Sequence, residues 1–190
     1  MDRYSIEKVA NAIILALNLG VEYLGKTKLM KLLFFADKEH LKRYGRPIFF
    51  DNYVKHKMGP IPEITFGIIS AYNNTEKEDV KEELEELLKW IEIKEKEIGY
   101  EKPMITFEKK RDFNKNIFSE SELEVLKEVF SKYKNSKADE LSRISHELPE
   151  YRKVERYKPI PYSEMAEDMK EYVSFWEKEK DAFRKALSDF

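Results

Sequence analysis

The chain contains no cysteine and no glutamine, and only 6 glycines and 7 prolines in 190 residues. Without cysteine there is no disulfide, no thiolate metal site and no thiol nucleophile. No apolar run approaches the ~18 residues that a membrane-spanning helix requires. The opening MDRYSIEKVANAII carries an acid and lacks a small-residue cleavage pattern, so no leader and no membrane span are expected. The cytoplasm is the default setting. The missing glutamine stands beside 27 Lys and 28 Glu, a bias of proteins from hot environments and equally of low-GC genomes.

Aromatic residues are plentiful at 13%, with 42% hydrophobic and 38% charged residues, and the formal net charge is −2. A disordered chain would lack those aromatics. The length suits a single domain over 1–190 with a real core.

The hydrophobic pattern predicts mainly helix. Ile6, Val9, Ala10, Ile13, Ile14 and Leu17 line one helical face behind the capping residue Ser5, and Gly20 stops that helix. A second helix runs from about Thr27 to Tyr44, ended by Gly45 and Pro47. Leu29, Leu32, Leu33 and Ala36 form its stripe, while Met30, Phe34 and Leu41 give it a second apolar face, so it belongs at the centre of the core. The stretch IFFDNYVKHKMGPIPE alternates and closes on Gly59-Pro60, which predicts a small β element around 47–60. Pro62 then opens a third helix through Ile64, Ile68 and Ile69. A charged helix is expected over 76–98, and an extended segment at 104–107. Ser119-x-x-Glu122 reads as a capping box, followed by a shorter helix over 138–148 that Pro149 breaks. A C-terminal helix is expected over 163–190. The fold class is a mainly α, compact multi-helix domain.

Signatures of catalysis are scarce. The sequence has no Gly-rich phosphate loop, no Gly-x-Ser-x-Gly elbow and no His-Glu-x-x-His helix. Asp37 and His40 are spaced to share a helix face, but nothing nearby in sequence completes a metal site. Ser145-His146-Glu147 names the residues of a triad without its geometry, because neighbours on a helix point apart. The expectation is therefore a non-enzymatic protein with no metal and no cofactor.

Local charge says more than net charge. From Lys26 to Lys57 nine basic residues face three acids, a local +6, whereas Glu76 to Lys102 carries a local −5. Lys28, Lys31, Phe35, Lys38 and Lys42 lie along one flank of the second helix. That stripe is open to three readings. Either it serves phosphate contact with base stacking, or its lysine stems edge a buried helix, or it docks an acidic protein.

The segment KLMKLLFFADKEHLKRYGRPIF (Lys28 to Phe49), followed by YVKHKMGPIP (Tyr53 to Pro62), resembles the Panacea, or SocA-like, antitoxin domain. Leu29, Lys31, Leu32, Leu33, Phe34, Phe35 and Ala36 fit that family's first element. Tyr44, Gly45, Pro47 and Phe49 fit its turn, and Gly59, Pro60 and Ile61 its Gly-Pro segment. Leu141-Ser142 and Ser145-His146-Glu147-x-Pro149 are similar to a later Leu-Ser-x-x-Ser/Thr-His element. The resemblance covers roughly 5–165, most densely 28–69. It implies an antitoxin that neutralises a cognate toxin, usually encoded beside it, by direct binding or by handing it to a protease. Nucleic acid is the alternative partner, for a transcriptional regulator using helix 27–44. Most of the matched residues are expected to be structural, with His146 tying a helix end to the core by hydrogen bonds. The candidate contact residues are Lys38, Lys42, Tyr53, Lys57 and Met58.

Overall fold

A computed structural model describes residues 4–73, 80–97, 104–175 and 177–178. Helix α1 spans Ile6–Asn18, and the Ser5 hydroxyl accepts the Lys8 amide at its start. Helix α2, Lys26–Tyr44, ends on Gly45 in the left-handed conformation. Strands β1 (Tyr53–His56) and β2 (Gly59–Pro62) form an antiparallel hairpin with Tyr53 opposite Pro62 and His56 opposite Gly59. Helix α3 follows at Glu63–Ala71.

Helix α4, Lys81–Trp90, is where sequence pattern and structure part. The charged helix expected over 76–98 stops at Trp90, and residues 76–79 and 98 lie outside the described residues. Ile91–Lys96 is instead strand β3, paired antiparallel with β4, Met104–Lys109, with Ile93 opposite Phe107. The leucine spacing of α4 runs smoothly into Ile91, which hides the change of period. The β-branched Ile91 and Ile93 bury every second side chain against the core, as a strand does.

Helix α5 is Glu120–Lys132, opened by the expected capping box: Ser119 Oγ accepts the Glu122 amide and the Glu122 carboxylate accepts the Ser119 amide. Helix α6 is Ala138–His146. Pro149 ends nothing further on; it starts the one-turn helix α7, Pro149–Arg152, where its missing N–H has no cost. The continuous helix expected from 163 is also interrupted. Helix α8 is only Tyr162–Met165, Ala166 leaves helical geometry at φ −115°, and helix resumes at 170–175 after a tight turn. Met165, Ala166 and Val173 are all buried, and the break lets Tyr172 lie over the end of α2. Residues 176 and 179–190 lie outside the described residues.

Helix α2 is the hub, packed by α5, α6, α3, α8 and both hairpins. Its Leu29, Leu32, Leu33, Phe34 and Ala36 are fully buried, with Phe34 edge-on to Tyr53 at 5.2 Å. The mainly α class with a small β element after α2 is as expected from the pattern, and the β3–β4 hairpin adds a second. Among the described residues no helix is long and apolar enough to cross a membrane.

Candidate partner-binding surface

Four polar side chains of α2 turn inward, and each is spent on backbone. Lys28 donates to the carbonyls of Glu22 at 2.6 Å and Lys134 at 2.8 Å. Lys31, fully buried, donates to the Pro60 carbonyl at 2.8 Å, and burial pulls its ammonium down to about 7. Asp37 accepts the amides of Ile48 and Phe49 and the Tyr53 hydroxyl, at 2.7, 3.1 and 2.9 Å. Burial pushes its carboxyl up to about 7 against the pull of those three donors. His40 meets the Arg46 carbonyl through Nδ1 and Ser121 Oγ through Nε2. Asp37 and His40 therefore serve different turns, and among the described residues no three His, Asp or Glu side chains gather as a metal site would need.

These ties explain the sequence elements that stand out between 28 and 149. Lys31 holds β2, and Asp37 holds the turn after Gly45-x-Pro47. Gly59, at φ +95°, lets the hairpin lie directly on both helices: a Cβ there would fall 2.4 Å from Ser145 Oγ and 2.9 Å from Lys31 Nζ. Gly45, Pro47, Gly59 and Pro60 are buried. His146 departs from expectation. It stacks on Tyr151, ring centroids 4.8 Å apart, while its buried Nε2 has no hydrogen-bond partner among the described residues. The Tyr151 hydroxyl carries the tie instead, donating to the His56 carbonyl at 2.8 Å.

The basic flank of α2 is thus not a surface stripe. Lys28, Lys31 and Phe35 are buried, and Lys38 is paired with the buried Glu150. A stripe legible on a helical wheel was turned inward because Pro60, Glu22 and Lys134 supply carbonyls at the ends of the lysine stems. Tyr53 is likewise withdrawn from contact, being 2% exposed with its hydroxyl on Asp37. Lys42 stays exposed beside a shallow cleft of about 170 Å³ shared with Lys38, Lys153, Glu164 and Lys170. Glu164 is already paired with both Lys153 and Lys170 there. A second cleft, of about 540 Å³, lies beside Asn52 and Glu63, and Glu177 at its rim accepts the Tyr162 and Ser163 amides.

The remaining candidates, Lys57 and Met58, are exposed at the tip of the β1–β2 hairpin. The structure adds a neighbour that the pattern did not reveal. Residues 158–160 run beside β1 as a third segment, Pro159 bridged to Val54, and Tyr157 occupies the turn that leads into it: the Tyr157 amide donates to the Lys55 carbonyl at 2.7 Å, Lys55 to Lys158 at 3.0 Å, and Ile160 to Tyr53 at 2.7 Å. This sets Tyr157, 58% exposed, against His56 with ring centroids 5.6 Å apart, and the Arg156 guanidinium over the Tyr157 ring at 5.1 Å. Burial and the surrounding Lys31, Lys57 and Arg156 charges hold the His56 ring below its ordinary range. The available signal was the basic run Arg152, Lys153, Arg156, Lys158 ahead of Pro159 and Pro161, which suits an extended segment.

No curated protein and no solved structure matches the chain. A family match covers residues 29–152, from the first turn of α2 through α7, the span over which Lys31, Gly59, Ser145 and Tyr151 lock hairpin and helices together. Its description is antitoxin SocA-like, Panacea domain, and the chain belongs to that family.

Proposed function

We propose that the protein is the antitoxin of a toxin–antitoxin pair and neutralises its toxin by non-covalent protein–protein contact. The observation that carries this reading is the division of labour in the matched span. Its distinctive residues are consumed internally, fixing the β1–β2 hairpin and α7 on α2, while the tip they support exposes Met58 and Tyr157 among cations. A rigid scaffold with an exposed aromatic and methionine is the build of a protein contact, in which a few large side chains supply most of the affinity. Delivery of the bound toxin to a protease would use the same contact.

Co-expression tests the reading. The product of the adjacent gene should arrest growth alone, and this chain should restore growth and co-purify with that product. Growth arrest that persists despite abundant folded antitoxin would refute it. The transcriptional-regulator reading loses its main support, because of the four lysines meant to follow phosphates along α2, Lys28 and Lys31 are buried and Lys38 is paired, which leaves Lys42 alone exposed.

A further inference from the structure

We infer that the hairpin tip and the segment beside it recognise an acidic protein surface, one that presents carboxylates around an apolar anchor. This rests on the antitoxin reading and assigns its contact. Over 55–58 and 155–158 the chain carries four cations, Lys55, Lys57, Arg156 and Lys158, against one carboxylate, Glu155. Lys55 is occupied by the Val154 carbonyl at 2.7 Å. Lys57, Arg156 and Lys158 are exposed and have no ion pair among the described residues. Several other surface cations are neutralised within the chain: Arg43 by Glu39 and Glu128, Lys94 by Glu108, Arg152 by Glu147, Lys153 by Glu164. An unneutralised positive patch attracts a negative partner and steers its approach.

A second feature says that the patch is built for contact. Tyr157 sits at φ +64°, a conformation that side chains rarely adopt, and its amide is fixed by the Lys55 carbonyl. That geometry sets the exposed ring against His56, whose Nδ1 accepts the amide of Met58, itself 43% exposed, at 3.4 Å. The result is an apolar centre with a charged rim. A nucleic-acid backbone is a poorer fit, because it needs cations that follow successive phosphates. Here Glu155 and the Arg152–Glu147 pair interrupt the track within a few residues.

Affinity for the adjacent gene's product should be measured for the wild type, for the tip reversal Lys57→Glu/Arg156→Glu/Lys158→Glu, and for an equal reversal on the α5 side, Lys127→Glu/Lys132→Glu/Lys134→Glu. Circular dichroism establishes that each variant is folded. The tip reversal should weaken binding by about 100-fold and flatten its salt dependence, and the α5-side reversal should stay within about twofold. Tyr157→Gly, which keeps the backbone conformation, should cost about 10-fold. Toxin binding that survives the tip reversal within about twofold overturns the surface and leaves the antitoxin reading standing. If the wild type does not bind that product, the antitoxin reading fails, and a labelled peptide alternating glutamate and leucine, with a duplex DNA of random sequence, tests the surface alone. Peptide binding that the tip reversal abolishes supports it; binding of the duplex in preference, or of neither, overturns it.

Discussion

Gly59 is where the hairpin comes closest to the helices beneath it, and a single methyl group there measures how tightly the scaffold is closed. The methyl of Gly59→Ala would press on Ser145 Oγ and Lys31 Nζ, and φ +95° is itself unfavourable for alanine. The expected loss is about 2–3 kcal/mol, read from the denaturation midpoint. Gly67→Ala is the matched control. It lies within α3 with nothing within 4 Å of the new methyl, and it should gain about 0.5–1 kcal/mol from helix propensity. Tyr157 offers the opposite trade. Glycine accepts φ +64° without strain but has a freer unfolded chain, so Tyr157→Gly should change stability by no more than about 1 kcal/mol while removing the exposed ring. A stability-neutral variant that loses partner binding would separate contact from folding at this position.

At the level of elements, the start of α5 joins distant parts of the chain. Glu122 is buried, accepts the Ser119 amide, and is paired with Lys8 of α1 at 2.8 Å and with Arg46 of the turn after α2 at 2.9 Å. Ser119→Ala removes the cap, together with the Oγ contacts to Arg46 at 3.3 Å and Ser121 at 3.1 Å, and should cost about 1 kcal/mol. Glu122→Ala also strips the counter-charge from two cations and should cost about 3 kcal/mol or more, measured in the same denaturation series. This capping box was legible from spacing alone, as were the centrality of α2 and a hairpin near Gly59-Pro60, although the turn itself falls at Lys57-Met58 and Gly59-Pro60 opens β2. Each of those is a local signal. What the sequence concealed were contacts made across the chain. Lys28 and Lys31 look like a basic stripe until carbonyls from Lys134 and Pro60 are brought to them. Ile91 continues the leucine rhythm of α4, and only its alignment with Lys109 across the β3–β4 ladder marks it as strand. Tyr157 acquires its place from β1, which lies a hundred or so residues earlier, so no window of local sequence contains the reason for it.

For the molecule as a whole, two buried groups of α2 shape the pH dependence of stability in opposite directions. Asp37 is raised to about 7 in the fold, so the fold holds a proton there that the unfolded chain has released; its contribution is full at acid pH and is lost as pH rises to about 7. Lys31 is lowered to about 7, so between there and its ordinary value near 10.5 the unfolded chain binds the extra proton, and stability rises with pH. Together they contribute a minimum near neutrality. Relative to wild type, Asp37→Asn should remove the fall on the acid side and Lys31→Met the rise on the alkaline side, in denaturation series taken from pH 5 to about 10. Parallel curves for wild type and Lys31→Met would contradict the buried ammonium. The pairing of 157–160 with β1 has a further consequence, one of timing. During synthesis the hairpin and α2 emerge early, but the edge that Lys55 and Tyr53 offer stays open until the chain has lengthened by about a hundred residues. A nascent or truncated chain ending just before Tyr157 would carry the whole of the family's matched span and keep Lys57, Met58 and Arg156, yet lack the Tyr157 ring and the pairing that completes the patch. The proposed contact surface would therefore certify a finished molecule: only a chain that has completed its fold would present it whole.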